Sequence, residues 1–555
     1  MNKKVCSFPI LFALLALLIG TCAVVFPASA QAAPTSTGSI TVSGTVARSY
    51  DAYQIFSANV VDGDNDAKIA TDLAWASDAV RDAALPVLHS AGMPNSQTTA
   101  QEAAEWLNAD SHLTSALSAQ LARSLQSSGA VPVTLNAGAA AKLPCGYWLI
   151  VADDDSIAQG EAGTAPIMAL VGGSAVTVKP KAATPKVSKH VLEDGTAAWQ
   201  KAADATVADD LYWRLSATVP AGLTAYDTYT VRFVDTMSAG LDPSKAAASM
   251  RVYVAAGADG GFDAVSTGKD GRVGTEPAKG WTDITAQCAT KVAAGGTFTV
   301  RTGDLIAALG GADAFTAGAR VVAVYNAPLS SACNHGIAKG NPNEVYLRYP
   351  RSPFADQSGD AGFTRTPSDD ACAYTWDLAL TKRGSDGDRP LAGAVLSIAD
   401  DRGRTLAADG TWGAEGKATV TTGEDGRVTV SGVDSGKLEV RELKAPKGYT
   451  AFEGTRSVTV KAEGLDVDQV VTAKPKLTIT AESPLRADSA DGSTGSLEAS
   501  LINTPTGTPP SITTGGFMPS TGDMAMYAAA AAAVAGAALI VVALLVKRGG
   551  GSHKE

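Results

Sequence analysis

Residues 438–449 read Leu438-Glu439-Val440-Arg441-Glu442-Leu443-Lys444-Ala445-Pro446-Lys447-Gly448-Tyr449. An apolar strand carries a glutamate and runs into Ala-Pro-Lys-Gly-Tyr. The flanking sequence follows the same β pattern. Trp376, Leu378 and Leu380 alternate with polar neighbours up to Lys382, the period-two signature of a strand with one buried face. Leu391-Ala392-Gly393-Ala394 turns into another strand, Thr422-Gly423-Glu424-Asp425-Gly426 makes a hairpin turn, and Leu501-Ile502-Asn503-Thr504-Pro505 ends the region. Residues 373–505 are expected to form one β-sandwich domain.

Upstream, residues 184–356 carry the same alternation. Leu211, Trp213, Leu215, Ala217 and Val219 end at Pro220; Tyr229, Val231, Phe233 and Asp235 continue it; Arg320–Tyr325 and Glu344–Tyr349 supply later strands. Pro350 to Asp370 is polar and reads as a linker. Residues 34–180 mix the two periods. Ser39–Val46 alternates as a strand, with Ala52, Tyr53, Ile55 and Phe56 extending the β pattern. Thr99-Ala100-Gln101-Glu102 is a capping start, and Ala103, Trp106, Leu107, Leu113, Leu117, Leu121 and Leu125 recur at helical spacing. Gly146–Val151 and Ala175–Val178 return to strands, so this unit is α+β.

The termini are processing signals. Asn2-Lys3-Lys4, an apolar run from Ile10 to Phe26 and Ala28-Ser29-Ala30 read as a signal peptide over 1–30, with cleavage after Ala32 equally readable. Cys22 does not make a lipoprotein signal, because Thr21 precedes it. At the other end, Met518-Pro519-Ser520-Thr521-Gly522 precedes an apolar run over 524–546 and a basic tail over 547–555 beginning Lys547-Arg548. The run is long enough to span a bilayer, and the cations hold that end inside. Residues 506–517, rich in Pro, Thr and Gly, are a flexible tether.

Between these signals lie roughly 480 residues, too many for one core and consistent with about three domains. The formal net charge is −11, which argues against nucleic acid and against a polybasic membrane patch. Cys145, Cys288, Cys333 and Cys372 remain after signal removal. An exported chain can pair them, though sequence does not give the connectivity. Cys288–Cys333 is the favoured pair because both fall in one expected domain. The five histidines form no metal-ligand spacing, and no nucleophile elbow or phosphate loop is evident. No metal, cofactor or enzymatic activity is expected.

The 438–449 stretch resembles the "E-box" of pilins and Cna protein B-type domains. In that family a first-strand lysine and a last-strand asparagine join in a spontaneous isopeptide bond promoted by the glutamate. The resemblance implies Lys382, Asn503 and Glu442 in those roles. Residues 184–356 resemble the isopeptide-forming middle domain of fimbrial shaft pilins through Thr184–Lys189, Phe233–Leu241 and Gly340–Leu347. This implies Lys189 as nucleophile, Asp235 as acid and Asn343 as amide, with Lys186 and Asn341 competing. The chemistry has its own logic. Desolvation lowers a lysine pKa and raises a carboxyl pKa. Together in an apolar core they favour a neutral amine beside a protonated acid, which polarises the amide and shuttles protons while ammonia leaves.

Val176-Thr177-Val178-Lys179-Pro180-Lys181 resembles the pilin motif that supplies the inter-subunit lysine, with Lys179 where tyrosine is usual. Lys181 is the implied nucleophile. Met518–Gly522 resembles the LPXTG sorting signal, with Met518 in place of leucine. The implied cut is at Thr521–Gly522 by a sortase, which passes the Thr521 acyl group to an amine. The resemblances together imply a mostly β chain: tandem Ig-like/Cna-type sandwiches, an α+β N-terminal domain and one C-terminal transmembrane helix. The implied role is the structural subunit of a covalently polymerised, wall-anchored fimbria contributing to adhesion. Its partners would be sortase, other copies of itself, accessory pilins, peptidoglycan and a host or bacterial surface ligand. The alternative is a monomeric wall-anchored adhesin of the same domain type.

Overall fold

The computed structural model describes residues 36–507 apart from 45–47, 110, 182, 208, 269–270, 414–416 and 468–474. The signal peptide, the sorting pentapeptide and the expected span over 524–546 lie outside the described residues. Among the described residues no helix is long and apolar enough to cross a membrane. The fold is mostly β, with three layered units in series.

In the first unit the 14-residue strand Ser49–Asp62 is central. It pairs with Lys68–Trp75, Val133–Asn136 and Gly146–Ala152, and Ile167–Val171 adds to the far side. Alternate side chains leave opposite faces of this sheet. Tyr53, Ile55, Leu149 and Val151 meet three helices, whereas Tyr50, Ala52, Trp148 and Ile150 meet the small sheet of Thr37–Val42, Ala140–Pro144 and Val176–Val178. The Thr99 capping box forms as expected. The helical stretch after it, however, is two helices, Ala100–Asn108 and Ser115–Ser127, each with a threonine N-cap. Between them Ser111 takes φ 61° and Leu113 is exposed, so Leu113 is not a core position. A further helix, Asp78–Ser90, contains Pro86.

The second unit is a sandwich of two sheets. One runs Ala198–Gln200, Lys186–Glu193, Tyr212–Val219, Ala319–Asn326, Arg251–Ala256, Thr282–Asp283. The other runs Ala202–Asp204, Asp369–Tyr374, Asn341–Pro350, Arg232–Met237, Thr297–Arg301, Ala289–Val292. Their inward residues, among them Trp213, Leu215, Phe233, Phe298, Val321 and Leu347, form one apolar core. The segment read as a linker is part of this sandwich. Phe363–Arg365 pairs with Arg348–Pro350, and Asp369–Ala373 pairs with Asn341–Val345. The unit therefore extends past 356 to Tyr374. The polarity that suggested a linker has a structural use: Asp360 accepts from Arg232 and Gln357 accepts from Thr230 N at 3.0 Å.

The third unit is a second sandwich. Trp376–Gly384 lies parallel to Ser496–Pro505 in one sheet, with Arg427–Val433, Tyr449–Thr450 and Leu485–Asp491 beside them. Gly436–Lys444 lies in the other, between Val395–Ala399 and Thr455–Glu463. The second and third units meet at a buried polar seam. Trp376 Nε1 donates to Asp204 Oδ2 at 2.6 Å, Val207 N donates to Gly432 O at 2.9 Å, and Arg402 and Arg404 both reach Asp209.

All four cysteines among the described residues are free. The expected Cys288–Cys333 pairing is therefore corrected. Cys288 Sγ faces Ile284 O at 3.3 Å, whereas Cys333 Sγ lies 3.6 Å from His335 Nε2, whose ring faces Asp377. The two thiols have separate neighbours, and burial raises both above the ordinary thiol pKa.

Candidate functional sites: two buried lysine–acid–asparagine clusters

Each sandwich carries three polar side chains in phase with its apolar face. In the third unit Lys382 follows Trp376, Leu378 and Leu380 on one strand, Asn503 follows Ala499 and Leu501 on another, and Glu442 follows Leu438 and Val440 on the facing sheet. Parallel register sets Lys382 beside Leu501 and Gly384 beside Asn503. The three side chains therefore converge in the core, with Lys382 fully buried and Glu442 only 6% exposed. Asn503 Nδ2 donates to Glu442 Oε1 at 2.9 Å and to Oε2 at 3.0 Å. Lys382 Nζ lies 3.7 Å from Glu442 Oε1 and donates to Leu501 O at 3.1 Å. Burial pulls the Lys382 pKa down to about 8, against the opposing pull of Glu442. Phe452 N donates to Glu442 Oε2 at 3.1 Å, which orients the carboxyl.

The second unit assembles its cluster across two sheets. Lys189 stands opposite Leu215 in one; Asp235 stands opposite Val345 in the other, and Asn343 opposite Met237, two places along the same face. Lys189, Asp235 and Asn343 are all fully buried. Lys189 Nζ donates to Asp235 Oδ2 and, at 2.9 Å, to the Tyr325 hydroxyl. Tyr325 Oη donates to Asp235 Oδ2 at 2.9 Å, and Asn343 Nδ2 donates to Tyr325 Oη at 2.9 Å. Burial lowers the Lys189 pKa to about 8 and raises that of Asp235, the Lys189 charge opposing the rise. Trp213 and Tyr325 present ring faces 5.6 and 5.5 Å from Lys189 Nζ.

The competing residues are placed elsewhere. Asn341 is buried but saturated by backbone, donating to Asn334 O at 2.8 Å and Ala373 O at 3.2 Å while accepting from Asn334 N at 2.8 Å. Lys186 is exposed. Asn343 lies on Asn341–Pro350, and Phe363–Arg365 and Asp369–Tyr374 follow it in the same unit. Tyr325 is the residue that sequence reasoning missed. Lys181 is exposed, between Val176–Val178 and Lys186–Glu193 at the junction of the first two units. Thr521 and Gly522 lie outside the described residues.

Chemically, each cluster can join an amine to a carboxamide. A lysine held near neutrality by desolvation is a competent nucleophile, and an acid beside it can trade protons with the amide. Both amide oxygens, Asn343 Oδ1 and Asn503 Oδ1, lack a hydrogen-bond partner. Such buried acceptors are disfavoured.

Residues 377–475 match the family model for the SpaA prealbumin-like fold domain. A curated relative, the trypsin-resistant surface T6 protein of Streptococcus pyogenes serotype M6, is 27% identical over 129 residues. That alignment covers 22% of this chain and 22% of the relative, so the chain spans about a fifth of the length of the curated protein it matches. Among solved structures, the T6 backbone pilin of serotype M6 Streptococcus pyogenes is 16% identical, with TM-score 0.46, covering 86% of this chain and all of that one. The full-length major pilin SpaD of Corynebacterium diphtheriae is 14% identical, with TM-score 0.42, covering 85% of this chain and 98% of that one.

Proposed function

We propose that this chain is the structural subunit of a covalently polymerised, wall-anchored pilus, self-clamped by two intramolecular Lys–Asn isopeptide bonds. The observation that carries the reading is the pair of buried clusters. Burying a lysine, a carboxyl and a carboxamide together is unfavourable unless the groups are fully paired, and here each set leaves an amide oxygen orphaned. Conversion to an amide removes the buried charge. Lys382 would join Asn503 with Glu442 as acid, and Lys189 would join Asn343 with Asp235 as acid. In each, the lysine nitrogen forms a bond to the amide carbon, that carbon releases its nitrogen, and one proton passes from Nζ to the departing ammonia.

The remainder of the reading rests on position. Sortase would cut Thr521–Gly522 and transfer Thr521 either to Lys181 of a further copy or to a peptidoglycan amine. Lys181 suits this role because an inter-subunit nucleophile must be reachable, unlike the two core lysines. The protein would turn over no substrate, since each bond forms once. Adhesion to a host or bacterial surface ligand, and co-assembly with accessory pilins, belong to the same reading.

The test combines two measurements. Intact mass of the secreted ectodomain should fall short of the sequence mass by two ammonia losses, each about 17 Da from the stoichiometry of amine–amide exchange. A blot of wall extracts should show a high-mass ladder. A mass without deficit sinks the clamps, and a single wall-bound band means a monomeric adhesin.

A further inference from the structure

The two clusters differ in how the acid meets the amide. In the third unit Glu442 contacts the nitrogen that must leave, with Asn503 Nδ2 at 2.9 and 3.0 Å from its two oxygens. In the second unit Asn343 Nδ2 has instead the Tyr325 hydroxyl at 2.9 Å, and that hydroxyl in turn meets Asp235 Oδ2 at 2.9 Å and Lys189 Nζ at 2.9 Å. Asp235 is one methylene shorter than a glutamate, and the phenol occupies the position between acid and amide. We infer that Tyr325 is a catalytic residue of the second unit, relaying the proton of Asp235 to the departing nitrogen of Asn343. This rests on the proposed isopeptide chemistry and deepens it.

The steps balance without any outside reagent. Neutral Lys189 adds through Nζ to the Asn343 amide carbon. The carbon–Nδ2 bond breaks as Tyr325 gives its phenolic proton to Nδ2 and takes one from the protonated Asp235 carboxyl. The resulting carboxylate then removes the surplus proton from Nζ. Ammonia leaves, a secondary amide remains, and both Tyr325 and Asp235 regain their starting protons.

Two features suit the phenol to this task. It is fully enclosed, and burial together with the neighbouring Asp235 holds its pKa well above the ordinary tyrosine value, so it stays protonated and ready to donate. Its ring is fixed edge-on against Phe298, with centroids 5.2 Å apart at 86°. Its strand is held in register with Tyr212–Val219 and Arg251–Ala256 on either side. The hydroxyl therefore cannot swing away from the reacting atoms.

The test uses the secreted ectodomain and peptide-level mass spectrometry, which reads the Lys189–Asn343 and Lys382–Asn503 links separately. In Tyr325→Phe the ring packing stays, the second-unit link should fall at least tenfold in occupancy, and the third-unit link should stay complete. The discriminating variant is Tyr325→Phe with Asp235→Glu. The longer acid can reach Asn343 as Glu442 reaches Asn503, so the link should return; a purely structural loss would not be rescued this way. A fully formed second-unit link in Tyr325→Phe overturns the relay, as does failure of the double variant to regain it. If the wild-type protein itself lacks the link, it is the isopeptide reading of this unit that fails.

Discussion

Replacing Glu442 by glutamine tests the clamp of the third unit with little change of shape. A glutamine can still accept from Phe452 N, so the strand geometry persists, but the acid is gone and Lys382 should remain a free amine. The missing bond closes a loop of 503 − 382 = 121 residues. Treated like any covalent cross-link on the unfolded chain, such a loop is worth about 5 kcal/mol of stability. For a domain of this size, with an unfolding entropy of roughly 0.28 kcal/mol/K, that is a fall of about 15–20 °C in Tm. Differential scanning calorimetry and intact mass on the same sample form the assay. The mass should rise by about 17 Da relative to the wild type after allowing for the substitution. A pH signature should appear only in the variant. Its free Lys382 has a folded pKa below the unfolded value of 10.5, already about 8 with Glu442 present. The folded state then binds fewer protons between the two values, so stability rises with pH from about 8 towards 10.5. The wild type, with this amine consumed, should lack that rise. An unchanged mass in Glu442→Gln refutes the role of the acid, and a shift under about 3 °C with the bond demonstrably absent refutes the loop-entropy argument.

Lys181→Ala should abolish the high-mass ladder in wall extracts while leaving monomer on the wall; a ladder that persists and is lost instead in Lys179→Ala would move the motif by two residues. Deleting Met518–Gly522 should leave a full-length protein extractable from membrane by detergent, and recovery of Gly522 in purified wall-bound material would show that a different bond is cut. At the seam between the last two units, burial and the neighbouring Asp204 and Asp194 push the Glu193 pKa up to about 8, and Asp204 and Asp434 are raised as well. The folded state thus holds more protons than the unfolded, and seam stability is full below about pH 4.5 and falls as pH rises to about 8. The two-unit fragment within the full ectodomain should melt higher at pH 5 than at pH 8, and Glu193→Gln should flatten that dependence; an unchanged slope would place the titration elsewhere.

The six cluster residues come from the resemblance to the pilin domains, and the strand pattern agrees with it, because each lysine, acid or asparagine falls in phase with an apolar strand face. Lys382 after Leu380, Glu442 after Val440 and Asp235 after Phe233 are misplaced for solvent and so marked for a core. Tyr325 sends no such signal. In Val321-x-Ala323-x-Tyr325 it reads as one more core aromatic, and its hydroxyl acquires meaning only when the opposite sheet delivers Asp235 and Asn343. The helix Asp78–Ser90 was hidden by Pro86, a residue that ordinarily ends helices. The strands Phe363–Arg365 and Asp369–Tyr374 were hidden for a different reason. The acids around them pair with buried cations, Asp360 with Arg232 and Asp369 with Lys201, so the segment as a whole reads as polar although Phe363 and Ala371–Tyr374 are buried. Composition reports what a segment is made of, and a segment that satisfies buried cations looks like one that faces water.

That hidden segment changes how load would travel through a polymer of such subunits. With both proposed amides formed, force entering at Lys181 would cross from Lys189 to Asn343, follow the chain from 344 to 381, then cross from Lys382 to Asn503 and leave by Thr521. The loops 190–342 and 383–502 are bypassed, and so is the first unit, which hangs outside the path. The one long folded stretch that would still bear tension is 344–381, which contains the polar segment Pro350 to Asp370 that sequence presents as a linker. What resists there is non-covalent: pairing of Asp369–Ala373 with Asn341–Val345, the ion pairs of Arg232 and Arg348 with Asp360, and the bonds from Arg232 and Arg301 to Gln357 O at 3.3 and 3.1 Å. A real linker there would stretch at negligible force. Folding it into the sandwich would let hydrogen bonds and ion pairs dissipate a pull that the two proposed amides would only transmit. The proposed amides would set where the chain cannot lengthen, and the Arg232–Asp360 neighbourhood would set when it does.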